Sequence, residues 1–125
     1  MLRKRTILAV LGLLVLVGGA CAPRPAPGPG NDVEAAIAAA FDPIGRTSEA
    51  IAVASCESGL QPWKDNPNGY YRGLFQLGQH FEPTIQMVAN VLGRPPDVHD
   101  PWVNAAAAAH TVEQDGGWGQ WSCKP

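Results

Sequence analysis

Cys56-Glu57-Ser58-Gly59-Leu60-Gln61-Pro62-Trp63-Lys64-Asp65-Asn66-Pro67-Asn68-Gly69-Tyr70-Tyr71-Arg72-Gly73-Leu74-Phe75-Gln76-Leu77 sets one carboxylate between the end of a helical pattern and a turn-rich aromatic segment. Upstream, Thr47 is a candidate N-cap for a helix through Ser48, Glu49, Ala50, Ile51, Ala52, Val53 and Ala54, and Gly59 supplies the backbone freedom that ends it. Glu57 then falls in the last helical turn. A helix C-terminus carries partial negative charge and disfavours a carboxylate by about 0.3–1 kcal/mol. Such a place suits a purely structural Glu poorly. It suits a general acid, which must keep its proton until a leaving oxygen takes it.

Beyond Leu60 the helical period is lost and turn formers take over, with Asn68-Gly69 a strong hairpin signal. Tyr70 to Gln76 has strand-like composition, and Gly73 inside it marks a bulge or a close backbone approach. A short irregular β-hairpin beside Glu57 is the expectation. The remaining elements read as helices. Asn31 or Asp32 can cap one through Val33, Ile37 and Phe41, which share a face and stop at Asp42-Pro43. Pro83 opens another through Ile85, Val88 and Leu92, closed by Gly93 and Pro95-Pro96. Asp100-Pro101 opens the last, which carries Ala105 to Ala109 and ends near Asp115-Gly116-Gly117. Five consecutive alanines allow close helix approach, so this should be the central buried helix. The fold class expected is mainly α, a small helical domain with one short hairpin.

Ahead of these elements, Arg3, Lys4 and Arg5 precede an apolar run from Ile7 to Val17, followed by Gly18, Gly19 and Ala20. Residues 1–20 read as an export signal, with an apolar run shorter than the roughly 20 residues a spanning helix needs. Cys21 directly after the small residues resembles the lipobox of bacterial lipoproteins, which implies a lipid anchor there. The alternative is an incidental thiol near a cleavage site. Residues 21–30, nearly all Pro, Ala and Gly, form an expected tether, and 31–125 a single domain. Loss of Arg3, Lys4 and Arg5 takes the formal net charge from −2 to −5 and leaves no basic stripe for nucleic acid. With Cys21 set aside, Cys56 and Cys123 remain as a pair that should be bonded in an oxidising compartment.

Around Glu57 the stretch offers the aromatics Trp63, Tyr70, Tyr71 and Phe75 and the amides Gln61, Asn66, Asn68 and Gln76. Aromatic faces with amides suit carbohydrate, whose rings present C–H faces for stacking and hydroxyls for hydrogen bonds. Glycoside cleavage in addition needs a carboxylic acid to protonate the leaving oxygen. His80, His99 and His110 share no metal-ligand spacing, and neither a phosphate-binding Gly-rich loop nor a Gly-x-Ser-x-Gly elbow occurs, so no metal and no cofactor are expected.

Cys56-Glu57-Ser58-Gly59, then Asn68-Gly69-Tyr70-Tyr71-Arg72-Gly73-Leu74-Phe75-Gln76, then Gly117-Trp118-Gly119-Gln120-Trp121-Ser122-Cys123 together resemble the lysozyme-like group of soluble lytic transglycosylases and resuscitation-promoting factors. The likeness covers most of the chain from Thr47 onward. It implies a lysozyme-like fold and cleavage of the β-1,4 bond between N-acetylmuramic acid and N-acetylglucosamine in peptidoglycan. Glu57 would be the catalytic acid. Ser58, Tyr70, Tyr71, Gln76, Asn104 and Trp118 would be substrate-binding residues. For Asn104 a backbone-bonding role stands beside the groove role, and Trp118 and Trp121 are either groove walls or core. No Ala-Tyr-Asn tripeptide follows Ala109, which leaves two chemistries open. A transglycosylase uses one Glu as acid and then base, whereas a muramidase positions water, commonly with a second carboxylate. Asp65 is the candidate for that carboxylate, and shaping its turn is the alternative role. The partner implied is the peptidoglycan glycan strand, with membrane contact through a lipid anchor only and a monomeric, exported protein. Two other readings are a wall-binding or lysis-assisting protein without turnover and a phage-encoded factor with the same chemistry.

Overall fold

Val33, Ile37 and Phe41, four residues apart, are all buried on one face of the first helix, α1, Pro29–Phe41. The structure, a computed structural model, describes residues 29–125; the expected export signal, Cys21 and the expected tether up to Gly28 lie outside the described residues. α1 begins two residues inside the expected tether and ahead of the expected cap. Pro29 stands at the first helical position, where a fixed φ and a missing N–H are no handicap, and Asp32 falls in the first turn.

A single 3-10 turn, Asp42–Ile44, leads to α2, Thr47–Ser58. Thr47 is not the cap expected of it. Arg46 holds the N-cap position without a side-chain bond, and the Thr47 hydroxyl instead donates to the Asp42 carboxylate. At the other end Gly59 adopts φ +64° and its N–H returns to the Ala54 and Ser55 carbonyls, which stops the helix one residue after Ser58. A second 3-10 turn, Gln79–Phe81, runs into α3, Glu82–Leu92, which has Pro83 in its first turn. In α4, Pro101–Asp115, the Asp100 carboxylate accepts from Trp102 N at 2.9 Å, the expected start.

α4 packs against both α1 and α3. Ala105, Ala107, Ala108 and Ala109 are buried along it, so the alanine run does bring its neighbours close. The molecule is mainly helical, as the helix start and stop signals implied. The hairpin takes another form. Among the described residues there is no strand, only isolated antiparallel bridges of Arg72 with Asp65 and with Leu77. Asn66 to Gly69 closes a tight turn through Gly69 N to Asn66 O at 2.9 Å, and Arg72 and Leu77 exchange both backbone bonds around a second turn at Gly73–Gln76. Two turns in eleven or so residues leave no length for a ladder, so the segment is a stack of turns.

Gly73 shows why that stack is tight. Its φ is +79°, and a Cβ there would lie 2.6 Å from the Val98 carbonyl oxygen. The close backbone approach read from this glycine is therefore real, and it seats the loop directly on the turn before α4.

Candidate functional site

Glu57 is half-buried in the last turn of α2, beside an open cleft of about 220 Å³. Two connections fix its place. Cys56, the preceding residue, is disulfide-bonded to Cys123, with Cα atoms 6.0 Å apart. The same crossing brings Cys123 N to 3.2 Å from Glu57 Oε1, so the backbone of the C-terminal segment donates to the carboxylate. The bridge thus does more than stabilise: it holds the tail across the end of α2 and gives Glu57 a wall to stand against.

The opposite side of the cleft comes from the turn stack. Asn66, Tyr71 and Gln76 line it, with His80 and Phe81 from the second 3-10 turn and Gln120, Trp121 and Ser122 from the tail. Gln76 sits at φ +50°, a left-handed conformation that costs a non-glycine residue on the order of 1 kcal/mol. Its Nε2 donates to the Lys64 and Gly73 carbonyls at 2.7 and 2.8 Å, which holds the residue there. Both amide protons are used, so the side-chain oxygen is what Gln76 can offer a ligand. Tyr71 is half exposed and makes an edge contact with Tyr70 at 4.7 Å between centroids. Trp121 is buried, its indole N–H bound to the Phe75 carbonyl at 2.9 Å, while its ring still contributes to the cleft.

Several residues expected in a groove turn out to build it from behind. Ser58 is fully buried; its hydroxyl donates to Leu74 O at 2.7 Å and accepts from Gln61 N at 3.2 Å, which ties the end of α2 to the turn stack. Asn104 is fully buried as well. Its Oδ1 accepts from Phe75 N at 2.9 Å and its Nδ2 donates to Val98 O at 2.8 Å, the backbone-bonding role of the two considered. Trp118 belongs to the core, stacked on Phe41 at 5.4 Å, with its indole N–H on Glu49 at 2.9 Å. That bond, helped by Arg46, holds the Glu49 carboxyl below its ordinary value of 4.5 against the opposing effect of desolvation. Asp65 does not line the cleft; its carboxylate meets His99 Nε2 at 2.7 Å. None of these four lines the cleft: Ser58, Asn104 and Trp118 finish their bonds inside the protein, and Asp65 is exposed and faces His99 instead.

No family model, curated protein or solved structure matches this chain.

The cleft itself is therefore the ground for any functional reading. Of the residues expected at the site, Glu57, Tyr71 and Gln76 line this cleft; His80, Gln120 and Ser122 line it too and were not among them. For the last two a signal existed. A Cys56–Cys123 bond puts the residue after Cys56 and the residues just before Cys123 side by side, which makes Gln120 and Ser122 neighbours of Glu57. His80 carried no such signal in the sequence. Tyr70 stands behind Tyr71 and reaches the cleft through His80, its hydroxyl 3.4 Å from Nδ1. Chemically, the arrangement offers one carboxyl group, aromatic surface and uncharged amides. Among the described residues no group of His, Cys, Asp and Glu is clustered so as to hold a metal ion.

Proposed function

We propose that this protein is a lysozyme-like enzyme that cleaves the glycan strands of peptidoglycan, with Glu57 as its single acid and base. The observation that carries the reading is the cleft in which Glu57 is the one carboxylate among walls of Tyr71, Trp121, Gln76 and Gln120. Sugar rings stack on aromatic faces, and their hydroxyls and acetamido groups pair with amides. The carboxyl group would protonate the oxygen between muramic acid and glucosamine as the C–O bond breaks. The resulting carboxylate would then take the proton from the muramic C6 hydroxyl as that oxygen attacks C1 and closes a 1,6-anhydro ring. Cys123 N at Glu57 Oε1 would orient the group and leave Oε2 to face the substrate.

A lone cleft carboxylate supports this cycle over hydrolysis, because hydrolases of either stereochemistry commonly use a second acidic group near the bond. Asp65, the candidate for that group, does not line the cleft and faces His99. Export, a lipid anchor at Cys21 and a tether of about 3.1 Å per residue would let the domain act on the wall outside the membrane.

Mass spectrometry of the products from purified peptidoglycan, treated with the mature protein or with its Glu57→Gln variant, tests the proposal. Anhydro-ended fragments from the unsubstituted protein alone are expected. Reducing ends would replace the transglycosylase cycle by hydrolysis. Binding to the polymer without release of fragments by either protein would make this a wall-binding module.

A further inference from the structure

We infer that His80 is a positioning residue that ties the turn stack to the C-terminal tail across the cleft, through a hydrogen-bond chain whose direction is fixed from one end. The chain runs Tyr70, His80, Gln120, Asp115. His80 Nδ1 lies 3.4 Å from the Tyr70 hydroxyl and Nε2 lies 3.3 Å from Gln120 Oε1, while Gln120 Nε2 donates to Asp115 Oδ2 at 2.8 Å. A carboxylate only accepts, so Asp115 turns the Gln120 amide nitrogen towards itself and the amide oxygen towards His80. That oxygen in turn requires a proton on Nε2. A neutral imidazole then has its lone pair on Nδ1, and the Tyr70 hydroxyl must be the donor there. One acid at the end of α4 thereby sets the tautomer of a histidine in the cleft.

A second observation shows that the pair is built in. Gly78 has an ordinary backbone conformation, φ −73°, that any residue can adopt. Yet a Cβ on it would lie 2.8 Å from Tyr70 Cε1 and 2.9 Å from His80 Nδ1. Any larger residue there would push one of the two rings aside, so glycine leaves the space in which they meet. The His80 ring also rests on Phe81 with centroids 4.5 Å apart, and Phe81 packs on Trp121 at 5.9 Å, so the tie is anchored on the tail side of the cleft as well. The consequence is a restraint on how far the Tyr71 wall and the Trp121 wall can move apart. A sugar ring then enters between walls already held in place instead of drawing two loose segments together, which favours binding more than the chemical step.

The kinetic part rests on the glycan-cleavage reading; the tautomer part does not. Long-range proton–nitrogen NMR at about pH 8, where a histidine is ordinarily neutral, should show His80 as the Nε2–H tautomer. Gln120→Leu or Gly78→Ala should abolish that single-tautomer signature. The Nδ1–H form, or the same spectrum in all three proteins, would overturn the inference whether or not the protein cleaves anything. On glycan strands, His80→Ala should raise KM about five- to tenfold, roughly what one or two net hydrogen bonds are worth, with kcat within about twofold. Tyr70→Phe should give a smaller rise that adds nothing to His80→Ala, and His80→Gln, which keeps a donor and an acceptor, should recover most of the loss. A collapse of kcat at unchanged KM would place His80 in the chemistry, and unaltered kinetics in an active enzyme would refute the tie. Absence of cleavage by the unsubstituted protein would fail the glycan reading alone and leave the tautomer result to decide.

Discussion

Replacing Asn104 by Ala should cost this small protein a large share of its stability while removing nothing from the cleft. Asn104 is fully buried and serves two backbone groups that have no substitute partner: it accepts from Phe75 N at 2.9 Å and donates to Val98 O at 2.8 Å, with a longer contact of 3.4 Å to Arg72 O. Leaving the Phe75 N–H unsatisfied costs about 1–3 kcal/mol, and the Val98 carbonyl about 1 kcal/mol more. The long Arg72 contact adds little. The sum, about 2–4 kcal/mol, compares with a total of about 5–15 kcal/mol for a domain of this kind.

Urea unfolding of the protein, followed by tryptophan fluorescence, reads this directly. With a slope of about 1–2 kcal/mol per molar, the midpoint should fall by roughly 2 M at unchanged slope. Asn104→Asp discriminates further. A carboxylate could still accept from Phe75 N, but it would turn unprotonated oxygens on the Val98 and Arg72 carbonyls and bury a charge, so it should be no better than Ala. A midpoint shift under about 0.5 M, or a stable Asn104→Ala protein with a raised KM, would refute the clamp and return Asn104 to the substrate groove.

Two further perturbations follow from the same geometry. Replacing Cys56 and Cys123 together by Ser opens a loop spanning 67 residues of sequence separation, for which chain entropy gives about 4 kcal/mol; the melting temperature should drop by about 20 °C, and a drop under about 5 °C would mean that the tail is held by Trp118 and Trp121 alone. Glu49, whose carboxyl is held below 4.5 chiefly by the Trp118 indole N–H, contributes stability that is present above its unfolded-state value and lost as pH falls through the folded-state value. Glu49→Gln should therefore be less stable than the unsubstituted protein near neutral pH and converge with it below 4.5; a difference in unfolding free energy that stays constant across that range would show that the charge on Glu49 is not what Trp118 binds.

The helices were legible because each carries its own punctuation. Asp100-Pro101 and Glu82-Pro83 start helices, Gly59, Gly93 and Gly116 end them in left-handed backbone, and the apolar spacing of α1 picks out the face that is buried. The expected hairpin is reduced to isolated bridges for a reason of length. Asn68-Gly69 does belong to a tight turn, but Gly73 reverses the chain again four residues later, before a second strand can pair. A turn signal describes four residues, while a strand depends on what lies across from it, here the backbone ahead of α4.

The polar residues of the site divide on a similar principle. Ser58, Asn104 and Gln76 all looked like groove residues, and all three bond to backbone carbonyls or amides; only Gln76 also reaches the cleft. The difference lies in where the close approaches occur. Gly73 brings the turn stack against Val98, and the polar group between those backbones, Asn104, is consumed in joining them. Gly78 opens space in the other direction, towards His80 and the tail, where the bonds are longer and the surface is exposed. One glycine therefore closes the rear of the loop and the other shapes its front. A substitution at Gly73 should act through folding, and one at Gly78 through the cleft. That division assigns the residues around Glu57 to scaffold or to surface without reference to their polarity.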